Sequence, residues 1–180
     1  MRLLWTFAMI SLAQGIPARS EESDPSKLLL SDFGFFCAAN PGRPDKTIAA
    51  ARVAKLLTVE PDILTAFGPQ TPSTELQGWY LRSEPTSKTL LAISKTDLNG
   101  EPSATCTVLS TDALGKEVVA QLPSMIELAL PEIDQTSFGN RMRLWQTEIT
   151  YQPIQLILGN PTDDAIPGVT LGLVAKLTEN

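Results

Sequence analysis

The sequence predicts an α+β domain, an antiparallel sheet of about six strands with two or three helices on one face. Three observations carry this reading. Six segments have strand composition and patterning: "WYLRSE" (79–84), "TLLAISKT" (89–96), "ATCTVLST" (104–111), "RMRLWQTEI" (141–149), "PIQLILGN" (153–160) and "GVTLGLVAKLT" (168–178). A helical pattern stands ahead of each group of three, one from Asp45 and one from Asp112, which suggests two α-β-β-β halves. Finally, 180 residues, 43% hydrophobic and 19% charged, suffice for one ordinary core and are too few for two domains of usual size.

The first residues, "MRLLWTFAMISLAQGIPARSEE", have the layout of a secretory signal peptide: a lone Arg2, an apolar run from Leu3 to Ala13, then small and helix-breaking residues. Residues 1–18 are assigned to it, with cleavage after Ala18 preferred to cleavage after Ser20. The run is 11 residues long, against about 20 for a membrane span, so no stable membrane insertion is expected once it is removed. No cysteine follows it closely enough to take a lipid anchor. Asn160, the one residue in an Asn-x-Thr setting, is blocked by Pro161, which suits a bacterial periplasm. The expected location is periplasmic or secreted.

Residues 19–44 form an N-terminal segment with a short helix. Asp24 is placed to cap it and Pro25 to open it, through "SKLLLSDF" towards Cys37, with a stop near Asn40-Pro41-Gly42. Residues 45–180 form the single α+β domain. Asp45 caps "KTIAAARVAKLL", where Ile48, Ala49, Val53, Leu56 and Leu57 share a face. The stretch Phe67–Gly78 has two prolines and no periodicity, and reads as a loop.

The first three strands are joined by "PTSK" and "DLNGEPS", lengths that suit hairpins. Asn99-Gly100 with Asp97 and Glu101 is a hairpin tip and not a calcium loop, because the glycine comes two positions too early. Ser110 or Thr111 caps the next helix, Asp112 to about Leu122, with Leu114, Val118, Val119 and Leu122 on one side. In the last strand Val169, Leu171, Leu173, Ala175 and Leu177 alternate with Thr170, Gly172, Val174 and Lys176, so one face should lie on the core.

Cys37 and Cys106 are the only cysteines. In an oxidising compartment two cysteines in one domain usually pair, and a Cys37–Cys106 disulfide is expected. Two buried free thiols beside Phe35, Phe36 and Val108 are the plainer alternative. A redox-active pair has little support: no Cys-x-x-Cys exists, and no basic residue lies within five positions of either thiol.

The chain contains no histidine, which removes Ser-His-Asp and Cys-His catalysis and histidine-bound metals. Phosphate-cradling glycine motifs and serine-nucleophile motifs are also missing, and no cofactor is expected. A formal charge of −6, with no basic run longer than "RMR", argues against a nucleic-acid partner. Asp163 and Asp164, between Pro161 and Pro167, read as solvated turn residues. One constellation has binding chemistry. Arg141, Arg143 and Trp145 alternate along one strand, and Tyr80 and Arg82 share a face of another; if the faces meet, the guanidinium groups and rings make an anion site. The alternative is an exposed sheet face whose arginines pair with acids such as Glu148 or Glu84. These readings favour an exported module that binds a protein partner or small ligand, with edge strands offering a route to a homodimer. The other reading is a small histidine-independent hydrolase or lyase using Asp or Glu with Arg.

Overall fold

The computed structural model describes residues 24–67, 73–83, 88–98 and 100–178, so the predicted signal peptide and Glu84 lie outside the described residues. Helix α1 spans Pro25–Phe33, and its cap is the expected one: Asp24 Oδ1 accepts from the Ser26 N–H at 2.9 Å. The chain continues as a π-helical turn, Gly34–Ala38. Next come α2 (Pro44–Val53), β1 (Leu57–Thr58), α3 (Pro61–Phe67), β2 (Ser73–Ser83), β3 (Lys88–Leu98) and β4 (Glu101–Ser110). The second half holds α4 (Gly115–Gln121), a 3-10 turn at Leu122–Ser124, β5 (Ile133–Ser137), β6 (Asn140–Ile149), β7 (Gln152–Pro161) and β8 (Val169–Lys176). Cys37 and Cys106 form a disulfide.

The strands make one antiparallel sheet in the order β1-β2-β3-β4-β8-β7-β6-β5. Two meanders, β1–β4 and β5–β8, join where β4 pairs with β8 in the middle. Residues opposite one another in an antiparallel pair share a face, so the register sorts the side chains. Leu91, Val108, Leu171 and Leu158 form one row, and Ile93, Cys106, Leu173, Leu156 and Trp145 the next. All are buried, and Leu29, Phe33, Ala51, Val118 and Leu122 from α1, α2, α4 and the 3-10 turn pack with them in the main core. Each fully buried leucine contributes about 1.5–3 kcal/mol.

Helix α3 covers the opposite face, at the β2–β3 end. Leu64 there joins Val59, Leu90 and Ala92 in a separate small core. Gly78 on β2 permits this approach, because a Cβ at that position would collide with the Leu64 methyls.

This architecture corrects the expected fold class. Among the described residues the sheet has eight strands where about six were expected, and four short helices lie on both of its faces. The expected α-β-β-β halves are also corrected: the first is α-β-α-β-β-β from α2 onward and the second α-β-β-β-β. The additional strands have physical reasons for being inconspicuous. Strand β5, "IDQTS", is exposed at all five positions, so it has no buried face to impose alternation, and β1 is two residues long. Helix α2 also differs. It ends at Val53 and buries Pro44, Thr47 and Ala51, while Val53 is exposed and Leu57 has passed into β1. The residues it buries are small, and the Thr47 hydroxyl donates to the Phe36 carbonyl at 2.8 Å.

Candidate functional site

The residues of the expected anion site are distributed over both faces and both ends of the sheet. Tyr80 pairs with Leu90, but the register shifts before Arg82, which pairs with Thr89. This bulge at Leu81 puts Tyr80 and Arg82 on opposite faces. The Tyr80 hydroxyl donates to Glu60 at 2.5 Å, which raises the tyrosine pKa and lowers that of the carboxyl. Arg82 donates twice to Asp32 Oδ2 on α1, at 2.6 and 2.7 Å.

Arg141, Arg143 and Trp145 do share one face of β6, as the alternation requires. Trp145 is buried in the main core. Arg141 forms a two-pronged pair with Asp134 on β5, from Nε at 2.7 Å and Nη2 at 2.5 Å. These hydrogen bonds hold the Asp134 pKa below the usual carboxylate range. Arg143 is buried, with Nη1 at 3.4 Å from Asn160 Oδ1 and Nε at 3.8 Å from Asp134. The two groups of residues stand five strand positions apart, roughly 24 Å at about 4.8 Å per strand. Arg82, Arg141 and Arg143 therefore engage carboxylates of their own neighbourhood, fastening α1 and β5 to the sheet.

A different place on the sheet offers room for a ligand. A groove of about 560 Å³ runs over the ends of β4, β8, β7 and β6, and Leu98, Ser103, Gln146, Tyr151, Gln155 and Val174 are among its lining residues. The register explains its composition. Gln146, Gln155, Val174 and Thr105 form one row across β6, β7, β8 and β4 on the face turned away from α1, α2 and α4, and Ser103 and Lys176 belong to the next. Val174 apart, these are the polar positions of the same alternation that sends Leu156, Leu173 and Trp145 into the core.

The groove is close to electrically neutral. Its lysine, Lys176, pairs with Glu101 at 3.1 Å, and both are well exposed. Gln152 donates to the Lys176 carbonyl at 3.0 Å, and Gln146 donates to Glu132 at 3.0 Å. The half-buried Gln155 side chain has no hydrogen-bond partner among the described residues. Tyr151 stands on the rim, 97% exposed, at the two-residue turn between β6 and β7. Thr150 and Tyr151 have φ of 50° and 63°, the left-handed pair of a type I′ turn, which normally favours Asn and Gly. Among the described residues no three His, Cys, Asp or Glu side chains lie together in a way that could hold a metal.

Sequence reasoning missed these groove residues. Gln146 and Gln155 are visible as polar residues inside predicted strands, but only the β6–β7 pairing brings them opposite one another. No helix among the described residues is long and apolar enough to cross a membrane. No protein-family model, no curated protein and no solved structure matches this chain.

Proposed function

We propose that the protein is an exported binding module that takes a small ligand in the groove over β4, β8, β7 and β6. The observation that carries this reading is the groove itself: concave, near-neutral, and holding the half-buried residue Gln155, whose amide has no partner among the described residues. Ligand sites combine such a concavity with a few polar groups that fix orientation. The Cys37–Cys106 disulfide supports export, since such bonds persist in oxidising compartments, and the signal-like layout of residues 1–18 agrees with it. Binding is favoured over hydrolysis or lysis by Asp or Glu with Arg, because the carboxylate in the groove, Glu101, is exposed and tied to Lys176. Glycoside hydrolysis by carboxyls uses two of them at a set separation, and the groove lining holds one.

Native mass spectrometry of the protein recovered from a bacterial periplasm, alkylated without reduction, tests this reading. The expected spectrum shows an N-terminus at residue 19 or 21, no alkylation, and a ligand adduct that Gln155→Trp removes. An intact Met1 with two alkylated cysteines overturns export, and an adduct indifferent to Gln155→Trp overturns the groove.

A further inference from the structure

Resting on the reading of the groove as the ligand site, we infer that its ligand is a neutral, hydroxyl-rich molecule of the oligosaccharide class. An extended peptide usually gains affinity by adding a strand to a free edge. No such edge exists here: β8 is hydrogen-bonded to β4 and β7, and β7 to β6 and β8, so the backbone beneath the groove is already paired.

An anion meets no net positive charge in the lining, because Lys176 stands 3.1 Å from Glu101. A purely aliphatic chain would cover the Gln155 amide and leave its donors and acceptor unpaired, at a cost of about 1–3 kcal/mol. What remains is a ligand able to donate and accept at once without charge. A side-chain amide has two N–H donors and a carbonyl with two lone pairs, and a sugar hydroxyl has one donor and two lone pairs. Among the described residues Gln155 has both its donors and its acceptor open, Gln146 retains its carbonyl after donating to Glu132, and Gln152 retains its own after donating to Lys176.

Tyr151 completes the set. A pyranose has an apolar C–H face as well as hydroxyl edges, and an exposed aromatic ring beside hydrogen-bonding amides matches both. The backbone carries Tyr151 at a conformational cost. A type I′ turn made of Thr and Tyr, at φ of 50° and 63°, forgoes the favoured Asn-Gly pair.

The test is a titration of the ¹⁵N-labelled protein, followed by amide chemical shifts, with three probes: maltotriose, triacetylchitotriose and the neutral peptide trialanine amide. At least one trisaccharide should shift the Gln146 and Gln155 side-chain resonances saturably. Gln155→Ala and Tyr151→Ala should each weaken that binding about tenfold, the effect of one good contact. Both variants alter side chains outside the main core, and their backbone spectra report whether the fold is kept. Shifts in the groove with the peptide alone overturn the oligosaccharide assignment while the groove stands as a site. Absence of groove shifts with all three probes, or binding that neither variant weakens, overturns the oligosaccharide assignment too. Retention of the periplasmic adduct and its loss in Gln155→Trp then decide separately whether the groove reading survives.

Discussion

Cys37, in the π-helical turn after α1, and Cys106, midway along β4, are joined by a disulfide with their Cα atoms 5.4 Å apart. The bond fastens the N-terminal helix to the central strands, across 69 positions of chain. Restricting a loop of that length in the unfolded chain corresponds to about 4 kcal/mol. The double variant Cys37→Ala/Cys106→Ala should therefore lose 2–4 kcal/mol, roughly the range for native disulfides. Urea unfolding measures it, and an unchanged midpoint would show that helix packing alone holds α1.

Ser26 is fully buried where α1 meets α4. Its hydroxyl donates to Glu117 at 3.0 Å and accepts from the Leu114 N–H at 3.2 Å. Ser26→Ala leaves that part-buried N–H without its partner and should cost about 1 kcal/mol. The matching structural readout is amide exchange at Leu114, which should accelerate relative to amides of β8.

Two carboxyls should give opposite dependences of stability on pH. Asp134 has its pKa lowered by its hydrogen bonds with Arg141, so its contribution is present above the unfolded value of about 3.9 and is lost as pH falls through the folded value. Asp32 has its pKa raised by burial, which outweighs the attraction of Arg82. The folded state then holds that proton more tightly than the unfolded chain, and its contribution is lost as pH rises through the folded value. Asp134→Asn should flatten the acid limb of a stability profile, and Asp32→Asn, which still accepts from Arg82, the limb above about pH 4. Urea melts between about pH 3 and 7 separate the two.

The β5–β6 turn holds Phe138 at φ 48° beside Gly139 at φ 78°, with the phenyl ring fully exposed. Phe138→Asn makes the Asn-Gly pair that a type I′ turn prefers and relieves a left-handed aromatic residue. The expected result is a gain of about 1 kcal/mol. A loss of stability would mean that the ring packs on something in solution.

Much of the sheet was legible because burial on one face leaves a period of two. The β8 pattern, with Val169, Leu171, Leu173 and Ala175 buried, could be read directly, and so could the Asp24-Pro25 start of α1. Strand β5 could not, since it is fully exposed and owes its conformation to β6. The candidate site was less legible. Arg141 and Arg143 share the face their spacing predicts, yet a single bulged residue, Leu81, sends Tyr80 and Arg82 to opposite faces.

By itself, then, the sequence determined which residues alternate, which cysteines were available to pair, and which histidine-dependent chemistries the chain lacks. These are properties of local order and composition. Tertiary structure alone decided that β4 pairs with β8, that Asp32 and Asp134 occupy the arginines, and that Gln146 lies opposite Gln155 in a groove that Tyr151 also lines. Pairings of that kind join residues far apart in the chain. They are set by which register buries the most apolar surface, a property of all the strands together.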